Sequence, residues 1–265
     1  ANTTAGSNTA VGTSALAVNT TGASNVAVGF ASLDANTTAS NNTAVGSAAL
    51  SSNTTGSSNV AVGIQALDAN TTGSENIGIG SNALGANTTA SSNVGIGGGA
   101  LATNTTGANN TAVGRSAGTA VTTGAQNVLI GKQAGDALTT GAENILIGMR
   151  AGSHNVSLQT GSQNILLGSY IDTPATNTSS AIGIGYDIAA NGGFTTLGSG
   201  NDDIRAAHGN VTWATVSDQR YKKDIADSTA GLAFVNALQP RTFKYKNLGE
   251  LPTAFRAYEA DSTAV

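Results

Sequence analysis

Short apolar triplets, each closed by a glycine and followed by small and polar residues, recur along this chain at a single interval. The stretch SNVAVGFASLDANTTAS, residues 24–40, is one copy. The closing glycines are Gly12, Gly29, Gly46, Gly63, Gly80, Gly97, Gly114, Gly131 and Gly148, each 17 residues after the last. The interval then slips to 20 at Gly168 and returns to 17 at Gly185. Leu16, Leu33, Leu50, Leu67, Leu84 and Leu101 keep the same spacing, as do Asn8, Asn25, Asn42, Asn59, Asn76, Asn93, Asn110, Asn127 and Asn144. A period this regular is the mark of stacked, equivalent units. Helical repeats need about 30 to 47 residues for their helices and turns, so each unit is predicted to be one β-coil. The coil has a short strand (Val26 to Val28), a glycine turn, a second short segment around Ala31 to Leu33, and a polar turn through Asn36-Thr37-Thr38. Eleven such coils at about 4.8 Å per rung make a rod of roughly 50 Å.

Successive side chains of a strand face opposite ways. On the simplest assignment Val26 and Val28 fill the coil and Ala27 points outward. That middle position reads Ala10, Ala27, Ala44, Ala61, Gly78, Gly95, Ala112, Leu129, Leu146 and Leu166, and is never polar. A water-facing strand position is ordinarily polar. The expectation is therefore that this row is covered by other copies of the chain, about an axis parallel to the rod, as a homotrimer. The Asn-Thr-Thr elements at Asn2, Asn19, Asn36, Asn53, Asn70, Asn87 and Asn104 match the glycosylation acceptor pattern, but stacked at equivalent turns they are expected to form hydrogen-bonded ladders along the rod instead.

Composition narrows the picture. Of 265 residues, 39% are hydrophobic but only 4% aromatic and 10% charged, with 35 glycines. Such a chain has to build thin cores of Ala, Val, Ile and Leu, because it lacks the large rings that dominate thick ones. The net charge of −4, with no basic cluster before residue 220, gives no electrostatic footprint for nucleic acid. Cysteine is absent, which removes disulfides and thiolate metal sites. No run of eighteen apolar residues occurs, so no membrane insertion by a helix is expected. The chain opens on Ala1 without a signal sequence, and its natural start is expected upstream or removed.

The units NVAVGFASL, NTAVGSAAL and NIGIGSNAL resemble the head repeats of trimeric autotransporter adhesins over residues 1–190. The resemblance implies a left-handed parallel β-roll, three rolls packing side by side. The 17-residue unit and the inserted Asn-Thr-Thr turns depart from that family's pattern.

After residue 190 the period breaks. Residues 191–216, which include the single tryptophan Trp213, read as a β-rich connector ending in a strand, and seven of the eleven basic residues lie between Arg220 and Arg256. The stretch SDQRYKKDIADSTAGLAFVNALQPRTFKYK, residues 217–246, resembles the opening of the intramolecular chaperone domain at the C-terminus of phage tail fibres and tailspikes, the S74 peptidases. The match is carried by Ser217, Asp218, Arg220 and Lys222, the apolar run Leu232, Val235, Leu238, and then Pro240, Phe243 and Tyr245. It implies a small α+β domain, of which residues 217–265 are the N-terminal, incomplete part. In that family the domain trimerises, drives fibre assembly and is released by self-cleavage at the serine.

By this resemblance Ser217 is the nucleophile and Lys222 the base, with Asp218 and Arg220 holding the local geometry. The chemistry is sound, since a serine hydroxyl needs a base and a desolvated lysine can serve. Any enzymatic activity is at most single-turnover autoproteolysis. On spacing alone Arg220, Lys222 and Lys223 read as an ordinary solvated charged face, and it is the resemblance that reverses this reading. His154 and His208 have no partner at metal-ligand spacing, GIGGGA is a coil turn rather than a phosphate loop, and no carboxylate pair suggests a glycan hydrolase. No cofactor and no metal are expected. The reading is an all-β, trimeric tail fibre on the virion, contacting a host cell-surface glycan or protein and other tail proteins. The alternative is a bacterial surface adhesin or extracellular filament subunit, for which a C-terminal membrane anchor would be expected. An enzyme acting on surface polysaccharide is the reading from a different class.

Overall fold

The computed structural model describes residues 5–200 and 202–209 and the backbone of 214–215, all within the unit spanning residues 1–217. Every repeat contributes one three-residue strand: β1 (Thr9–Val11), β2 (Val26–Val28), β3 (Thr43–Val45), β4 (Val60–Val62), β5 (Ile77–Ile79), β6 (Val94–Ile96), β7 (Thr111–Val113), β8 (Val128–Ile130), β9 (Ile145–Ile147) and β10 (Ile165–Leu167). β11 (Ile182–Tyr186) and β12 (Phe194–Ser199) continue the series, followed by β13 (Asp202–Ala207) and β14 (Ala214–Thr215). The strands form one sheet in chain order. β1 to β12 are parallel, each residue opposite its repeat equivalent, as in Ala27 opposite Ala44. β13 and β14 then turn back antiparallel. The described residues contain no helix. The fold is a parallel β-solenoid of about eleven turns built from 17-residue coils.

Only the first segment of each coil is a strand. The second, around Ala31 to Leu33, is a turn in which Ala31 and Leu33 both adopt left-handed backbone (φ 53° and 48°). It is nonetheless tied to its neighbours: the Leu33 amide donates to the Ala49 carbonyl at 3.1 Å, and the Ala31 amide to that of Thr13 at 3.0 Å. The closing glycine makes the corner. Gly63 has φ +135°, and a Cβ there would lie 2.6 Å from the Gly80 carbonyl oxygen, so the corner requires a residue without a side chain.

The facing of the strand is the reverse of the expectation. Ala27, Ala44, Ala61, Ala112, Leu129, Leu146 and Leu166 are fully buried within a single chain, while the flanking residues such as Val26 and Val28 are only half-buried. The middle residue lines the lumen; its neighbours point outward. The cause is the asparagine two residues before it. Asn42 is fully buried, its Nδ2 donating inward to the Gly56 carbonyl at 2.9 Å, and its Oδ1 accepting the Asn59 amide N–H at 2.9 Å. Strand alternation then carries Ala44 to the same side.

Lumen volume accounts for the change from Ala or Gly to Leu in the middle row. Where the strand carries Ala or Gly, the turn carries Leu: Leu50, Leu67 and Leu84 are fully buried, and a Cβ on Gly78 would meet Leu67 Cγ at 3.1 Å. Where the strand carries Leu129, Leu146 and Leu166, the turn carries Gly118, Gly135 and Gly152. A Cβ on Gly118 would stand 2.5 Å from Leu129 Cδ1 and 3.0 Å from Leu101 Cδ2. The leucine has moved across the lumen and the packed volume is conserved.

A second asparagine ladder runs through the Asn-Thr-Thr turns. Asn36, Asn53, Asn70, Asn87 and Asn104 each donate through Nδ2 to Oδ1 of the asparagine one coil earlier, at 2.8–3.2 Å. The same Nδ2 groups also donate to the carbonyl three residues on, Gly73 for Asn70 and Gly107 for Asn104, both at 2.9 Å. That carbonyl takes a second donor from the other ladder, as Gly73 does from Asn59. These buried amides are structural, not glycan acceptors; Asn2 lies outside the described residues. The ladder stops at Asn104. The next equivalents are buried Val121, Leu138 and Leu158, and Asn104 Oδ1 is left without a partner.

Candidate functional site

Two consecutive exterior positions follow the corner glycine of each coil. In the early coils the second of them is small or neutral: Ala31, Ala48, Gln65, Asn82, Gly99, Ser116 and Gln133. From the ninth coil onward it becomes Arg150, Tyr170 and Asp187, while the first position varies throughout, carrying Phe30, Ile64, Arg115 and Lys132 before Met149, Ser169 and Tyr186. The change coincides with the one 20-residue interval, whose extra residues form a loop over Ser153 to Asn155.

That loop is held firmly. Asp172, itself buried, accepts the backbone N–H of His154 at 2.9 Å and of Asn155 at 2.8 Å, and Ser153 Oγ donates to the Gln133 carbonyl at 2.7 Å. His154 Nδ1 stands 3.8 Å from Asp172 Oδ2 and 3.7 Å from Asp187 Oδ1. The imidazole meets the Tyr170 ring edge-on, with centroids 4.7 Å apart, and Tyr170 meets Tyr186 the same way at 5.8 Å. Edge-to-face geometry is the favoured packing of such rings. Arg150, His154, Tyr170, Tyr186 and Asp187 line an open depression of about 340 Å³. Tyr186 is 54% exposed, and Arg150 forms no ion pair among the described residues.

No direct sign of this cluster is visible in the sequence, where His154 reads as a loop or surface residue without a partner at metal-ligand spacing. Its signal was indirect: the slipped period, and Arg150, Tyr170 and Asp187 at the second position after the corner glycine, which is small or neutral in the earlier coils. His208, by contrast, is exposed, its ring 3.4 Å from Thr195 Oγ1. Among the described residues no group of three His, Cys, Asp or Glu side chains is placed to hold a metal ion, and no helix is long and apolar enough to cross a membrane. Ser217, Asp218, Arg220 and Lys222, the residues assigned to self-cleavage, lie outside the described residues, as does Trp213.

The outer surface of the solenoid carries a second feature. The residues flanking each middle position form two rows. One runs Val28, Val45, Val62, Ile79, Ile96, Val113, Ile130, Ile147, Leu167 and Ile184; the other alternates Val, Ile and Thr from Val26 to Ile182. Val45, Ile79, Ile130, Ile145, Ile147 and Ile184 are among the exposed large hydrophobic residues. A continuous apolar stripe of about ten rungs follows, on the side opposite to the one expected from the sequence.

Residues 217–260 match the model of the peptidase S74 family, described as the chaperone of endosialidase. The match begins at Ser217. No curated protein and no solved structure matches the chain.

Proposed function

We propose that this chain is a trimeric fibre segment of a phage tail or tailspike, which attaches the virion to a host surface and is followed by a self-cleaving assembly chaperone. The observation that carries the reading is a continuous β-solenoid succeeded directly by a match to the chaperone of endosialidase at residues 217–260. That family belongs to phage tail proteins, which favours an extracellular, virion-borne fibre over a cell-anchored adhesin.

The trimer is supported by the exterior stripe rather than by the middle row. Val62, Ile79 and their equivalents present a flat apolar strip, and exposed strips of such length mark an interaction surface or an aggregation hazard. Sister chains about a shared axis cover it with the same surface from each copy. The parallel register supplies the regularity, because every rung offers the same shape to the neighbouring chain.

The cleavage chemistry assigned to the junction is a serine attack. Ser217 Oγ adds to the carbonyl carbon of the preceding peptide bond while Lys222, in the role of general base, takes its proton. The Val216–Ser217 amide bond breaks as the acyl group shifts from nitrogen to oxygen, which leaves Val216 esterified to Ser217 Oγ and the proton on the freed Ser217 amine; water then hydrolyses the ester, releasing a Val216 carboxylate and a segment that begins at Ser217. Mass spectrometry of the expressed full chain tests this part: cleavage before Ser217 is expected, and is lost in Ser217→Ala. A wild-type product as intact as the variant overturns it. Attachment is tested by incubating labelled full chain with a panel of bacterial cells, and binding to none of them contradicts it.

A further inference from the structure

We propose that the depression lined by Arg150, His154, Tyr170, Tyr186 and Asp187 is a binding site for a neutral, hydroxyl-rich sugar residue; this rests on the attachment reading and gives it a location. Four observations converge there. First, at the second position after the corner glycine the last described coils carry Arg150, Tyr170 and Asp187 where the earlier coils carry Ala, Gly, Ser, Asn and Gln, whereas Tyr186 stands at the first position, which is large or charged in other coils too, as at Phe30, Ile64, Arg115 and Lys132. Residues that serve only the stacking have no need to differ, and binding chemistry concentrates where a rigid scaffold carries a distinct loop.

Second, both tyrosines of the described chain lie side by side here, and Tyr186 offers an exposed ring. The C–H face of a pyranose packs on such a ring, burying apolar surface while its hydroxyls remain free. Third, Asp187 and Arg150 line the same depression. A carboxylate accepts two hydroxyl donors and a guanidinium presents a planar fork of N–H groups, so together they satisfy a vicinal diol from both sides. Fourth, the depression holds about 340 Å³, at the lower end of the range for small-ligand sites, which suits one or two sugar rings.

The charge pattern selects the neutral class. Asp172, bonded to the loop backbone, is not part of the lining, while Asp187 lines the depression 3.7 Å from His154, so among the described lining residues the Asp187 carboxylate offsets the Arg150 guanidinium and an anionic ligand meets no net positive charge. The loop that carries His154 is fixed in advance by the two backbone N–H bonds to Asp172, and a site ordered before binding loses less entropy on capture.

The test is an NMR titration of the full chain with glucose, galactose, mannose and N-acetylglucosamine separately, repeated with Tyr186→Ala and Asp187→Asn. The second substitution keeps the side-chain shape at an exposed position, so it reports on charge even if the first disturbs packing. Binding of at least one sugar at millimolar concentration is expected, weakened roughly tenfold or more by each substitution. Binding that survives both substitutions overturns the site and leaves attachment standing. No binding by the wild type to any of the four sugars also overturns it, and the cell-panel experiment then shows separately whether attachment fails too.

Discussion

Replacing Asn70 by alanine removes a rung from the middle of the buried ladder, whereas replacing Asn104 removes the last one, and the two losses are predicted to differ. Asn70 Nδ2 donates to Asn53 Oδ1 and to the Gly73 carbonyl, both at 2.9 Å, and its Oδ1 accepts from Asn87 Nδ2 at 2.8 Å. Asn70→Ala therefore breaks three bonds and strands Asn53 Oδ1 in the interior. Asn104 Nδ2 makes the corresponding two donations, at 3.1 Å and 2.9 Å, but its own Oδ1 already lacks a partner. Asn104→Ala strands Asn87 Oδ1 while deleting an existing orphan, so the number of unpaired acceptors does not change. The excess cost of Asn70→Ala is one hydrogen bond, about 1 kcal/mol, plus one newly unpaired buried acceptor, about 1–3 kcal/mol. Asn70→Ala is thus expected to be worse by roughly 2–4 kcal/mol. Guanidinium unfolding of the two full-chain variants, at one protein concentration and followed by circular dichroism, reads this as a midpoint lower by about 0.5 M, taking a slope of about 5 kcal/mol per molar. Equal midpoints, or a larger loss for Asn104→Ala, refute the ladder reasoning.

Three further outcomes are expected. Ala61→Leu overpacks the lumen and Leu50→Gly empties it, each costing roughly 2–4 kcal/mol, and the double variant recovers at least about 1 kcal/mol of the summed loss in a double-mutant cycle, because Leu129 with Gly118 already realises that arrangement. Gly63→Ala, at φ +135° with its Cβ 2.6 Å from the Gly80 carbonyl oxygen, lowers the thermal midpoint more than Gly98→Ala, whose nearest contact is at 4.0 Å. Burial holds the Asp68 carboxyl above its ordinary value, against backbone hydrogen bonds at Ala69 and Asp68 that pull it down. The folded state then binds the proton more tightly than the unfolded one, so this group favours folding below the ordinary carboxylate range and opposes it once pH has risen past its folded value. Asp68→Asn is therefore expected to stabilise the chain at pH 7 and to lose that advantage near pH 3, measured by thermal melts at the two pH values.

The coil length, the strand positions and the glycine corners were legible in the sequence because each is a backbone requirement repeated without change at Gly12 through Gly148. The facing of the strand was not. An all-apolar row is compatible with either side of a thin coil, and Ala27 taken alone does not say which. Two signals held the answer: the asparagine at the same parity two residues earlier, and the exchange of Leu between the turn (Leu101) and the strand (Leu129) at constant lumen volume. The ladder of Asn-Thr-Thr turns followed from stacking alone. The cluster at His154 escaped because its members are 16 to 20 residues apart in neighbouring coils and converge only once the coils are stacked.

In the proposed fibre the exterior stripe from Val28 to Ile184 is covered by sister chains. Sedimentation equilibrium of the full chain measures this. With cleavage blocked by Ser217→Ala, the expected mass is three times the 25.9 kDa of one chain, falling toward a single chain when Val62 and Ile79 are also both replaced by aspartate while the circular dichroism of the coil is retained. A Ser217→Ala chain with its stripe intact that sediments at 25.9 kDa across the concentration range contradicts it.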